Sequence, residues 1–195
     1  MPRPARIDRG TVLDATLALA DEEGLAAVSM RAVAARLGVT PMALYRHVGD
    51  KSQLLDGLVE QLLLELPLPD STLPWHERLD ALAAAMRATA RKHPRVFPLL
   101  LQRPATTPGA VRARDAVYGA LRDAGIDESA IPRVERLIST FVLGFAASEA
   151  AGRFTATPQQ LDEDFRWAGN HIRQILTRDH AADGRTGVRS DPGPP

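Results

Sequence analysis

Apolar residues recur at helical spacing along almost the whole chain, and strict alternation is scarce. Residues 8–23 predict a first helix: Leu13, Leu17 and Ala20 form its stripe, Asp8 is placed to cap it, and Ile7 and Val12 have the spacing of a hydrophobic staple. Gly24 marks its end. Ser29 predicts the start of a short helix, Met30–Leu37, which Gly38 stops. Thr40 caps the next, with Pro41 in its first turn, and that helix runs to about Val48. Asp50 and Gln53 then have capping-box spacing. They open a longer helix over 50–66, whose stripe is Leu54, Leu55, Leu58, Val59, Leu62, Leu63 and Leu66.

Three prolines within residues 67–74 mark the clearest linker. Beyond it, helices are predicted over 75–93, 108–124, 128–151 and 158–177, with a short apolar helix or turn over 94–102. Residues 96–101 are the best candidate for a strand, but nothing in the sequence offers them a partner. From 179 onward the chain is rich in Gly, Pro, Asp and Arg and is expected to be disordered. The expected fold is therefore all-α, in three parts. Residues 1–66 form a three-helix helix-turn-helix unit with its connecting fourth helix, 67–178 a helical bundle, and 179–195 a tail.

Composition narrows the function. There is no cysteine, so disulfides, thiolate catalysis and cysteine-ligated zinc are excluded. No secretory leader is evident and no apolar run reaches spanning length, so the expectation is a soluble, cytoplasmic protein without a membrane partner. His76, His93 and His171 are scattered without metal-ligand spacing, and no metal site is predicted. Nucleophilic triads, phosphate-cradling glycine loops and paired carboxylates are likewise not evident, which argues against an enzyme. Formal net charge is zero, yet residues 24–51 carry four cations against one acid, and Arg3 and Arg6 precede the first helix.

That basic segment, SMRAVAARLGVTPMALYRHVGDK (29–51), has the spacing of a helix-turn-helix. Val33, Ala34 and Leu37 can face the core from the first helix, Val39 can plug the turn, and Leu44 and Val48 share the inner face of the second. Met42, Ala43, Tyr45, Arg46 and His47 are left outward or sideways. A short, partly apolar face with one cation suits a major groove, where methyl groups read thymine and Arg reads guanine. Packing is the alternative for Tyr45 and for His47 beside the fourth helix. For Arg31, Arg36 and Lys51 the alternative is ordinary solvated charge.

Residues 37–58, LGVTPMALYRHVGDKSQLLDGL, resemble the recognition segment of the TetR family, and of its tetracycline-repressor subgroup in particular. The resemblance implies a homodimeric transcriptional regulator, a repressor released from a palindromic double-stranded DNA operator by a small-molecule effector, with no cofactor required. It implies phosphate contacts from Arg31, Tyr45 and Lys51 and base-edge contacts from residues 41–46. The DNA-facing set becomes Ser29, Arg31, Thr40, Pro41, Met42, Ala43, Tyr45, Arg46, His47 and Lys51. Residues 93–104 and 141–150 resemble the effector domain of the same subgroup. There the metal-liganding His of a tetracycline repressor falls on Leu99, and its nearby acid falls near Ser148 and Glu149. Hard oxygen ligands and a fixed imidazole are what a magnesium-chelated drug requires. The expected effector is instead largely apolar, anchored by Arg103 or Gln102. Met86, Phe97, Leu100, Arg103, Tyr118, Phe141 and Phe145 are the candidate pocket lining, with core packing as the alternative. The two longest C-terminal helices are expected to build a four-helix dimer bundle through Leu137, Gly144, Ser148, Phe165 and Ile172.

Overall fold

The computed structural model describes residues 7–103 and 106–183, and among these it contains α-helices and one 3₁₀ turn, with no strand. The helices are α1 (Arg9–Glu23), α2 (Met30–Leu37), α3 (Pro41–Val48), α4 (Lys51–Leu64), α5 (Trp75–Lys92), α6 (Leu99–Gln102), α7 (Pro108–Asp123), α8 (Ile131–Ala150) and α9 (Pro158–Asp183). Local chemistry accounts for most of the boundaries. Asp8 accepts from the Thr11 amide, Ser29 from the Ala32 amide, and Asp50 and Gln53 bond reciprocally as a capping box. Thr40 occupies the cap position of α3 but makes no side-chain capping bond; Pro41 behind it has no amide to offer. Gly38 lies in the left-handed region at φ 68°, the conformation that lets the chain reverse between α2 and α3.

Helices α1 to α4 close over one core centred on Val12, Val33, Leu44, Leu54, Leu58 and Leu62, all fully buried. At Gly57 a Cβ would lie 2.5 Å from a Leu13 methyl group, so a larger residue there would displace that side chain where α1 packs on α4. This core does not end at the linker. Val96, Leu99 and Ala110 from the second half join it, so α4 is a structural member of both halves.

Polar ties fix α4 to α7 and α5. Both oxygens of the buried Glu60 carboxylate accept from the Gly109 amide, at 2.9 Å. Arg112 donates to the carbonyls of Leu63, Leu64 and Leu66, at 2.9–3.2 Å. These are the orphan acceptors at the end of a helix. Buried His93, just past α5, donates through Nδ1 to Asp21 of α1 at 2.6 Å, and its Nε2 lies 3.6 Å from Glu65.

Several boundaries differ from the sequence expectation. The α4 helix stops at Leu64 rather than Leu66, because Pro67 disfavours helical geometry in the residue before it. Leu66 is nonetheless buried. Residues 96–101 are no strand: a turn leads into α6, and Val96, Phe97 and Leu99 are core side chains. The α8 helix begins at Ile131 rather than 128, with Pro132 in its first turn. The α9 helix continues to Asp183, through the first five residues expected to be disordered; 184–195 lie outside the described residues.

In the second half, buried Arg87 of α5 meets Glu149 of α8 at 2.5 and 2.8 Å and Asp162 of α9 at 2.8 Å, with its guanidinium over the rings of Phe145 and Phe165. Arg91 reaches the same two carboxylates. Burial opposes ionisation of Glu149, but hydrogen bonds from Arg87 and Arg91 outweigh it and hold its carboxyl below the usual range. The hydrogen bond from Arg91 does the same for Asp162. A carboxylate with a lowered folded pKa stabilises the fold above its unfolded pKa and loses that contribution as pH falls through the folded value. The urea midpoint should therefore hold through the neutral range and drop below about pH 4.5. Glu149→Gln should cost about 3 kcal/mol at neutral pH by leaving arginine charge underpaired. It should also make the acid decline shallower; a decline as steep as in the native chain would place its origin elsewhere.

Candidate nucleic-acid interface

Leu44 and Val48 lie one turn apart on α3 and are buried, which turns the opposite face of the helix outward. On that face Met42 is 71% exposed and Tyr45 48% exposed, and Arg46 and His47 are also exposed. Pro41 and Ala43 are half-buried at its edges. Ser29 is spent as the cap of α2, while Arg31 is exposed on α2 and Lys51 is exposed at the start of α4. Thr40 is exposed at the turn.

The electrostatics of this face are unusual in what is missing. Arg36, also on α2, is held by Glu22 through two bonds of 2.5 and 2.8 Å, and its pKa is raised by them. Arg31, Arg46 and Lys51 have no ion pair among the described residues. The cations beside the exposed face of α3 are thus among those left without an acid. His47 lies near Asp8, whose carboxyl is held below its usual range first by hydrogen bonds from Thr11 and to a smaller degree by His47.

Two cavities in the second half take up residues of the expected pocket set. The smaller, about 260 Å³, is enclosed by α4, α5, α6, α7 and α8. Leu63 of α4 and Leu66 just past its end supply one wall, Met86 and Leu100 of the expected set also line it, and its polar groups are Arg114, Glu135 and Ser139. The larger, about 590 Å³, lies between α5, α8 and α9 and takes Phe141 into its wall. The rest of the predicted pocket set is elsewhere. Phe97 is fully buried in a core cluster with Ala90 and Ala146. Arg103 is spent on Asp56 and the Ser52 carbonyl, so it anchors the connection between α6 and α4 rather than a ligand. Tyr118 packs in the cluster around Leu121, and Phe145 belongs to an aromatic group with Phe141, Phe154 and Phe165. Gln102 is exposed.

The predicted seam is divided too. Leu137 is exposed and a Cβ on Gly144 would meet open space, both consistent with an outward face. Phe165 and Ile172 turn inward, lining the larger cavity. The exposed apolar side chains of α9 are Trp167, 63% exposed and in ring contact with His171, and Ile175. A stripe at helical spacing shows which residues share a face but not which neighbour that face meets, so the sequence left the direction of Phe165 and Ile172 open. Glu60, Arg112, Arg114 and Glu135 went unnoticed in the sequence. Only Glu60 had a local signal, as an acid within the apolar run of α4.

Residues 12–58 match the family model of bacterial regulatory proteins, tetR family, and residues 67–178 match that of the tetracyclin repressor-like C-terminal domain. An HTH-type transcriptional repressor, DrrR1, from Streptomyces coeruleorubidus is 33% identical over 151 residues, covering 76% of this chain and 55% of its own length. The chain thus spans little more than half of that relative. The class A tetracycline repressor protein from transposon 1721 of Escherichia coli is 31% identical over 155 residues, covering 75% of this chain and 69% of its own. The solved Streptomyces coelicolor protein ActR, in complex with actinorhodin, superposes with a TM-score of 0.79 at 22% identity, over 90% of this chain and 99% of that one, and so shares the fold.

The packing of α3 separates its two faces energetically. Leu44→Ala should lower the free energy of unfolding by about 2–5 kcal/mol, since it empties a fully buried site. Met42→Ala should change it by less than about 0.5 kcal/mol. Urea unfolding at one fixed protein concentration checks both, and a large loss from Met42→Ala would mean that this side chain is part of the core.

Proposed function

The chain belongs to the tetR family of bacterial regulatory proteins, and on that premise we propose a homodimeric repressor that binds a palindromic DNA operator and leaves it when a small organic molecule enters the protein. The observation that carries this reading is the outward face of α3, where Met42, Tyr45 and Arg46 are exposed and the flanking Arg31 and Lys51 have no acid partner among the described residues. A helix of this size fits the major groove. Uncommitted cations at its edges meet the phosphates, and Arg46 reads a base edge. Two copies joined through the outward faces of α8 and α9 present two such helices to successive half-sites.

The effector site of this reading is the smaller cavity. A ligand shifts an equilibrium only as far as it binds two shapes unequally, so its site must include a group that moves with the DNA-binding half. Leu63 of α4 and Leu66 just past its end are in the wall of this cavity, whereas no α4 residue lines the larger one. The occupant is a compact, mainly apolar molecule whose polar end meets Arg114, Glu135 and Ser139. A hundredfold release from DNA needs about 2.7 kcal/mol of coupling. Metal-chelated drugs do not suit the chain: Leu99 is a core side chain, and Glu149 is committed to Arg87 and Arg91. Calorimetry with tetracycline and magnesium should detect no submicromolar binding, and magnesium-dependent heat at that affinity would overturn the assignment of effector class.

The interface itself is tested with DNA selected from a random pool. Lys51→Ala should weaken binding to every sequence alike and reduce the salt slope by roughly one unit per half-site. Arg46→Ala should cost about 1–3 kcal/mol per half-site on the selected operator and relax preference at one base pair. Uniform loss from Arg46→Ala, with altered base preference from Lys51→Ala, would reverse the two roles. No sequence-selective binding by the native chain would remove the function altogether.

A further inference from the structure

The larger cavity stands apart from the effector site in both position and chemistry. The α9 helix is held against α5 at two stations. Near its start Asp162 pairs with Arg87 and Arg91 at 2.8 and 3.0 Å, and farther along Arg173 pairs with Asp80. Between those stations, about 16 Å apart at the rise of an α-helix, α9 touches the body through Phe165, which stacks on Phe141, and beside that contact lies the slot of about 590 Å³. Its floor is apolar, with Ile138, Phe141, Phe165 and Ile172. A Cβ built on Gly169, which also lines it, meets nothing within 4 Å.

The charges around the slot do not cancel. Four arginines line it, Arg87, Arg91, Arg166 and Arg173. Three of them are matched by Glu149, Asp162 and Asp80. Arg166 donates through Nε to the Asp162 carbonyl at 3.2 Å and has no ion pair among the described residues. One cation is therefore in surplus at the mouth of an elongated apolar space of the volume that small-molecule sites occupy.

We propose that this slot is a second ligand site, separate from the effector cavity, and that it takes an amphipathic organic monoanion with a ring-bearing apolar body and a single carboxylate or sulfonate. The body lies over Phe141 and Phe165, and the anion meets the Arg166 guanidinium, a charge-assisted pairing that suits its planar fork. Binding there acts on α9 and its outward face, whereas the effector cavity acts on α4.

Anilinonaphthalene sulfonate has this chemistry and reports apolar surroundings by fluorescence. Titrated into the full chain, it should bind one molecule per chain, and its neutral analogue phenylnaphthylamine should bind about tenfold more weakly. Gly169→Leu fills the slot from the helix and should lower sulfonate affinity at least about tenfold while circular dichroism shows an unchanged fold. Arg166→Gln, an exposed substitution, should abolish the advantage of the anion over the neutral analogue and leave binding of the latter unchanged. The proposal is overturned if the sulfonate does not bind, if Gly169→Leu leaves its affinity intact, or if the anion and its neutral analogue bind equally to the native chain.

Discussion

Glu60 is a carboxylate at 9% exposure in the middle of the fourth helix, and it receives the amide of Gly109 in the first turn of the seventh. The start of a helix has unpaired amides and a partial positive charge, so a buried anion is accommodated there and almost nowhere else in an apolar core. The pairing also limits the size of residue 109, since a Cβ on Gly109 would come within 2.9 Å of the Glu60 carboxylate. A few residues further along, Arg112 takes the terminal carbonyls of α4. One end of α7 thus clamps the last turns of α4, and α4 carries the framework on which α3 is mounted.

The distribution of arginine follows from the same economy of charge. Arg78, Arg87, Arg103, Arg112 and Arg173 are consumed within the fold, each by a carboxylate or by helix-end carbonyls. Partnered in this way, a guanidinium can be half or fully buried without an uncompensated charge. Arg31, Arg46 and Lys51 stay in solvent beside the exposed helix. A net charge of zero over the chain conceals this division. The cations flanking α3 are among those that the fold leaves without an ion pair among the described residues.

The helix-turn-helix was legible because its determinants are local. Caps, a glycine at positive φ, a proline in a first turn and apolar pairs one turn apart act within a few residues, and each is readable without knowing what packs against it. The phase of α3 followed from Leu44 and Val48, and hence so did the exposure of Met42, Tyr45 and Arg46. Positions in the second half were less legible for a related reason. Its helices are apolar on more than one side, so a stripe containing Phe165 or Ile172 is compatible with an outward seam or an inward wall.

The sequence by itself determined that the chain is helical, where its first four helices begin, and which residues of α3 face out, because capping and helical periodicity are short-range effects. Tertiary structure decided which polar groups would be free. Arg103 looked like a ligand anchor until Asp56, 47 residues away, took it. Phe97 looked like a pocket wall until Ala90 and Ala146 closed around it. Glu149 fell near the position of a family acid in the effector domain, and two arginines from α5 neutralise it. In each case the partner lies on another helix, and the pairing depends on how two helices cross and rotate, a long-range outcome that no window of neighbouring residues contains.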